Sequence, residues 1–165
     1  MTTRQPLKQP PQEIERKFLV EALPPDLERY PCTAIEQGYV TYSEDGVEVR
    51  LLHKGDQYYE TVKHGGALVR MELEIELTEG QFEALWPTTE GKRLQKIRYK
   101  IPYGDRVIEL DVYRVTLEGL ITADVEFDSI EQSQAFIPPD WLGTEITGHP
   151  KYRNRFLAES GQVGN

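Results

Sequence analysis

The chain reads as an α+β protein dominated by antiparallel β structure: an eight-stranded closed β-barrel, or tunnel, with flanking helices and a C-terminal helix. Three observations predict this. Turn-forming pairs recur at Asp45-Gly46, Gly55-Asp56, Gly65-Gly66 and Gly104-Asp105, and such pairs suit the backbone of tight hairpins. The runs between them alternate apolar and charged residues with period two, as strands with two distinct faces do. Amphipathic segments supply helices to cover apolar stripes on the outside, which a sheet closed around a polar lumen requires.

Residues 1–12, rich in Pro, Gln and Thr, read as a disordered leader, and 13–160 as one domain. A first strand over 13–20 sets Glu13, Glu15 and Lys17 on one face and Ile14, Phe18 and Val20 on the other. A short helix is expected over 24–30 and a second strand over 34–42. The third strand, 46–53, opposes Val47, Val49 and Leu51 to Glu48 and Arg50. The fourth, 57–64, puts Tyr59, Thr61 and Lys63 together, and the fifth, 67–77, sets Met71, Leu73, Ile75 and Leu77 against Arg70, Glu72, Glu74 and Glu76. Thr78 is an N-cap with Gln81 three residues on, so a helix runs over 78–86 with Phe82, Leu85 and Trp86 as its apolar face. The sixth strand, 93–101, opposes Ile97, Tyr99 and Ile101 to Lys96, Arg98 and Lys100. The seventh, 106–114, opposes Ile108, Leu110 and Val112 to Glu109 and Asp111, and the eighth, 120–128, opposes Ile121, Ala123, Val125 and Phe127 to Asp124, Glu126 and Asp128. A helix over 129–136 ends at Pro138-Pro139, and a last one over 151–159 carries Tyr152, Phe156 and Ala158. Hairpin connections throughout predict a meander that closes on itself.

Composition narrows the function. A length of 165 residues suits one domain with a real core. With 19 basic and 28 acidic residues the net charge is −9, which argues against a nucleic-acid or anionic-membrane partner. No apolar run approaches the roughly 18 residues of a membrane span. The single Cys32 excludes an internal disulfide and reads as a packing residue, which points to a cytoplasmic setting. His53, His64 and His149 lack ligand spacing, and there is no P-loop or dinucleotide fingerprint.

A solvated sheet face usually mixes Ser, Thr, Gln and Lys, whereas here acids and bases are dense and regularly placed on one face of nearly every strand. A closed sheet with that face inward has a charged, hydrated lumen. Carboxylates at close quarters repel unless a divalent cation neutralises them. Mg²⁺ and Mn²⁺ prefer oxygen ligands and bridge to phosphates. Arg and Lys on the facing wall would clamp the remaining phosphate oxygens. Together these parts describe phosphoryl transfer.

The pattern Glu13-x-Glu15-x-Lys17, followed by Arg50, Lys63, Glu72, Glu74, Arg98, Asp111, Glu126 and Lys151, resembles the signature of the CYTH domains, or triphosphate tunnel metalloenzymes. The resemblance runs from Glu13 to about Ala158, and Gln37-Gly38-Tyr39 is most similar to short bacterial members that include inorganic tripolyphosphatases. It implies an eight-stranded tunnel that hydrolyses or cyclises a linear triphosphate with Mg²⁺ or Mn²⁺. It implies Glu13, Glu15 and Glu126 as metal ligands with Asp111 assisting, and Glu72, Glu74 and Asp124 in support. Lys17, Arg50, Lys63, Arg98 and Lys151 would bind phosphates, and Tyr39 would pair with Lys17 to orient or deprotonate the attacking water. Two positions depart from the family pattern: Leu52 stands where a second arginine is usual, and Asp124 where a glutamate is. The alternatives left open are a thiamine or nucleoside triphosphatase, a class IV adenylate cyclase, and a non-catalytic polyphosphate-binding module. A homodimer also stays open.

Overall fold

The structure, a computed structural model, describes residues 11–162. Its strands are β1 (Gln12–Leu19), β2 (Cys32–Tyr42), β3 (Glu48–Lys54), β4 (Gln57–Gly65), β5 (Val69–Leu77), β6 (Arg93–Tyr103), β7 (Arg106–Tyr113) and β8 (Ile121–Phe127). The helices are α1 (Glu79–Leu85), α2 (Ile130–Ala135) and α3 (Asn154–Ser160). Most of the expected leader, 1–10, lies outside the described residues, and its last residue, Gln12, opens β1.

All neighbouring strands are antiparallel and close in the order β1-β5-β4-β3-β2-β6-β7-β8. This is a closed barrel but not the simple meander expected. Two hairpin runs, β2 to β5 and β6 to β8, are joined by the segment carrying α1, which lets β6 pair with β2, and β1 seals the seam between β5 and β8. α1 starts where expected, because Thr78 Oγ1 accepts the Gln81 N–H while the Gln81 side chain accepts the Thr78 N–H.

The outward stripes form two apolar clusters. Ile14, Phe18, Ile108, Leu110, Val125 and Phe127 pack under Phe136, Trp141 and Leu142, while Leu51 and Leu77 pack with Phe82 of α1 and Trp86. A third cluster lies at one end of the lumen. Tyr39, Leu94 and Tyr113 meet Leu117, Leu120 and Leu157, so α3 stoppers the barrel with apolar side chains. Burying a leucine there contributes about 1.5–3 kcal/mol. A bulge between Tyr39 and Thr41 turns Val40 outward against the cluster under α1 and leaves Tyr39 on the inside.

Four expectations change. Helical cover does not reach the outer face of β5: Met71, Leu73 and Ile75 are 37, 52 and 59% exposed. At seven residues α1 is only about 10 Å long, and of β5 it covers only Leu77. The helix expected over 24–30 shrinks to one 3₁₀ turn, Leu27–Arg29, because Asp26 takes a left-handed backbone (φ 58°). The last helix begins at Asn154, after a separate turn at Pro150–Tyr152. Cys32 is exposed at the start of β2 rather than packed. No helix among the described residues is long and apolar enough to cross a membrane.

Candidate active site

Period-two alternation sends one side chain in two from every strand into the lumen, where they line a cavity of about 240 Å³. Among the described residues its wall carries eight acids (Glu13, Glu15, Glu48, Glu72, Glu74, Glu109, Asp124, Glu126) and eight bases (Lys17, Arg50, Lys54, Lys63, Arg70, Arg98, Lys100, Arg153). With every group ionised the lining is charge-balanced. A polyanion entering alone would leave negative charge in excess, and divalent cations entering with it restore neutrality.

The acids converge at the β1–β8 seam. Glu15 pairs in register with Glu126 and Glu13 lies one lumen position along, so carboxylate oxygens of all three lie within 4.8 Å of one another. Burial, with neighbouring carboxylates, raises Glu13 to about 8 and Glu15 to about 7. Burial and the Glu109 and Glu72 charges also raise Glu126. Three hard oxygen donors that resist ionisation until a cation joins them fit Mg²⁺ or Mn²⁺. Glu72 is buried too, but its hydrogen bond with Glu13 and the Lys63 charge outweigh that and lower it to about 2. Glu74 accepts from Thr61 Oγ1 at 2.9 Å.

Cations face this cluster. Lys63 Nζ reaches Glu13 at 3.0 Å and Glu72 at 3.1 Å. Arg70 pairs with Glu48 at 3.2 Å. The Nε atoms of Arg50 and Arg70 are buried without a hydrogen-bond partner. Orphaned buried donors are costly, and an anion between them would satisfy both. Lys17 Nζ lies 3.6 Å from Asp124. Burial would lower Lys17, but Asp124, Tyr113 and Glu15 outweigh it and hold the ammonium above its ordinary value.

Two expected roles shift. Asp111 is fully buried and accepts from Lys96 Nζ at 2.7 Å and from Arg98 Nε and Nη2 at 2.7 and 2.8 Å. It is not among the converging carboxylates, and both its oxygens accept from Lys96 and Arg98. Asp124 faces Lys17 at 3.6 Å and Arg98 at 3.5 Å, and its Oδ1 is buried without a hydrogen-bond partner. The Lys17–Tyr39 pair is absent among the described residues. The Tyr39 hydroxyl accepts from Gln37 Nε2 at 2.9 Å and meets Arg50, and burial raises it. Tyrosine 113 is the one beside Lys17.

Arg50, Lys63 and Arg98 line the cavity as expected, as do Tyr39 and Leu52. Lys151 lies on the Pro150–Tyr152 turn and is not part of the wall, whereas His149, Tyr152, Arg153 and Asn154 are. That segment is seated on β1, since Ile146 N donates to Lys17 O and Lys17 N to Thr147 Oγ1. Arg153 and Asn154 carry no periodic signal, which is why sequence alone does not single them out. Lys96 shares the lumen face and is held by Asp111 at 2.7 Å. Burial lowers it to about 8, and such shifts are the kind that functional groups show.

No family model matches the chain. It is 46% identical over 151 residues to an inorganic triphosphatase of Nitrosomonas europaea, covering 90% of this chain and 97% of that one. It is 33% identical to an inorganic triphosphatase of Acetivibrio thermocellus, covering 90% and 94%. The crystal structure of an inorganic triphosphatase superposes with a TM-score of 0.66 at 42% identity over 89% and 94% of the two chains. A Pyrococcus horikoshii protein shares the fold alone, with a TM-score of 0.57 at 18% identity over 74% and 84%. The chain belongs to the inorganic triphosphatase family.

Proposed function

We propose that the protein hydrolyses a linear triphosphate, most simply inorganic tripolyphosphate, to pyrophosphate and phosphate with Mg²⁺ or Mn²⁺, in the manner of the CYTH tunnel metalloenzymes. The observation that carries this is the pair of orphaned guanidinium nitrogens on Arg50 and Arg70 in the same cavity as three converging carboxylates. The cavity, at about 240 Å³, falls below the ~300–1,000 Å³ typical of drug-sized ligands, which favours a bare triphosphate over a nucleotide or thiamine ester. Residues 13–160 act as one domain in this reading, and the setting is cytoplasmic.

Glu13, Glu15 and Glu126 would hold the cation, with Glu72 and Glu74 beside them. Bound there, a divalent ion supplies charge neutralisation and a more acidic water. Arg50, Lys63, Arg98 and Arg70 bind phosphate oxygens and offset the charge that gathers on the leaving pyrophosphate. Lys17 is held protonated and serves as a donor. Tyr39, whose hydroxyl is raised by burial, orients water rather than deprotonating it.

The test is phosphate release from tripolyphosphate, pyrophosphate, ATP and thiamine triphosphate, each with Mg²⁺ or Mn²⁺. Turnover of tripolyphosphate that stops with chelator is the expected result. Tight binding without turnover makes the protein a polyphosphate-binding module, and cyclic AMP from ATP makes it a cyclase.

A further inference from the structure

Among the charged groups of the cavity wall stands one side-chain amide, that of Asn154 at the start of α3. Its carbonyl is already engaged: the Tyr113 hydroxyl donates to Asn154 Oδ1 at 2.6 Å. Tyr113 is fully buried, packed with Leu94, Leu117 and Leu157 and lying under the Lys96 ammonium at 5.6 Å, so the donor has no freedom to swing away. Burial raises its hydroxyl above its ordinary value, which keeps it a donor throughout the neutral range. An amide whose oxygen is held in this way turns its two N–H donors in the other direction. Among the described residues no hydrogen bond engages Asn154 Nδ2.

We propose that Asn154 donates a hydrogen bond through Nδ2 to a phosphate oxygen in the cavity, and that Tyr113 is the positioning residue that sets its amide. This rests on the triphosphatase reading and adds a site to it. The chemistry suits the setting. A phosphate oxygen accepts, and the Nδ2 of an oriented amide only donates, so the contact is directional. It also adds no charge to a wall whose acids and bases already balance. Arg153, its neighbour in the chain and in the wall, acts on the same anion through charge.

Asn154→Asp tests this most sharply. Aspartate keeps the shape and the acceptor for Tyr113 but turns a carboxylate oxygen on the phosphate. KM for tripolyphosphate, or Kd by calorimetry with Mg²⁺, should rise about tenfold or more, with kcat within a few-fold. Asn154→Ala should show a smaller rise and serves if the aspartate variant does not fold, as thermal melting will report. Tyr113→Phe should raise KM in the same direction, and the Asn154→Ala/Tyr113→Phe double variant should be no worse than Asn154→Ala alone. A purely structural role would not give the salt response expected here. The Asn154→Ala loss should persist at high ionic strength, whereas that of Arg153→Gln should fade. Unchanged KM in both Asn154 variants, with an active wild type, overturns the inference. A wild type that neither binds nor cleaves tripolyphosphate overturns the function reading as well, so the two failures are distinct.

Discussion

Asp111→Asn separates a structural clamp from a metal ligand. The Asp111 carboxylate is fully buried and receives three charge-assisted hydrogen bonds of 2.7, 2.7 and 2.8 Å from Lys96 and Arg98. Asparagine keeps the volume but leaves the buried Lys96 ammonium without its counter-charge and Arg98 with Glu109 at 2.7 Å and Asp124 at 3.5 Å. Removing one partner of a buried ion pair costs ~3–5 kcal/mol, which for a chain of this size lowers Tm by about 6–20 °C. Scanning calorimetry of the metal-free protein measures the shift, and Mn²⁺ titration measures whether the carboxylate cluster still binds. The expected outcome is a large loss of Tm with Mn²⁺ affinity changed less than about threefold. The pH dependence gives a second reading. Arg98 and Lys96 overcome the cost of burial and hold Asp111 well below its ordinary value. Its contribution is therefore present above about pH 4 and disappears as pH falls below that, so wild type and variant should converge in acid. An unchanged Tm with lost Mn²⁺ binding would refute the clamp and return Asp111 to the metal site.

Three further outcomes follow from the same geometry. Glu15→Gln should reduce hydrolysis by about a hundredfold or more while leaving the metal-free Tm equal or higher, because it removes a carboxylate raised to about 7 by burial; calorimetry and phosphate release check both parts. Glu13 and Glu15, at about 8 and about 7 when folded against 4.5 ordinarily, bind protons that the unfolded chain has released. Metal-free stability should therefore fall as pH rises from about 5 to 8, and Mg²⁺ uptake near pH 7 should release about one proton, read as a buffer-dependent calorimetric enthalpy. Thr78→Ala removes the capping box of α1 and should cost ~1 kcal/mol, a Tm loss of about 2–4 °C, with kcat unaltered because α1 lies outside the barrel.

Period-two alternation and the turn pairs are local signals, so eight strands, their facing and the capped start of α1 were legible from residues alone. So was the set Glu13, Glu15 and Glu126, because the resemblance runs through short motifs on β1 and β8. What escaped depends on contacts between residues far apart in sequence. β1 seals the seam between β5 and β8, a pairing no turn encodes. Lys17 meets Asp124 and Tyr113 rather than Tyr39 because the bulge at Val40 and the register of β1 on β8 decide who stands opposite whom. Arg153 and Asn154 enter the cavity only because the 146–154 segment hydrogen-bonds to β1.

By itself the sequence determined that a charged face exists on nearly every strand and that acids and bases share it. Only the tertiary structure decided which of those charges neutralise one another and which remain for a ligand. Asp111 is spent on Lys96 and Arg98, while Glu13, Glu15 and Glu126 converge across from guanidinium nitrogens that have no partner. The reason is range: alternation is set within one strand, whereas an ion pair is set by closure of the barrel, which brings side chains from different strands together in one lumen.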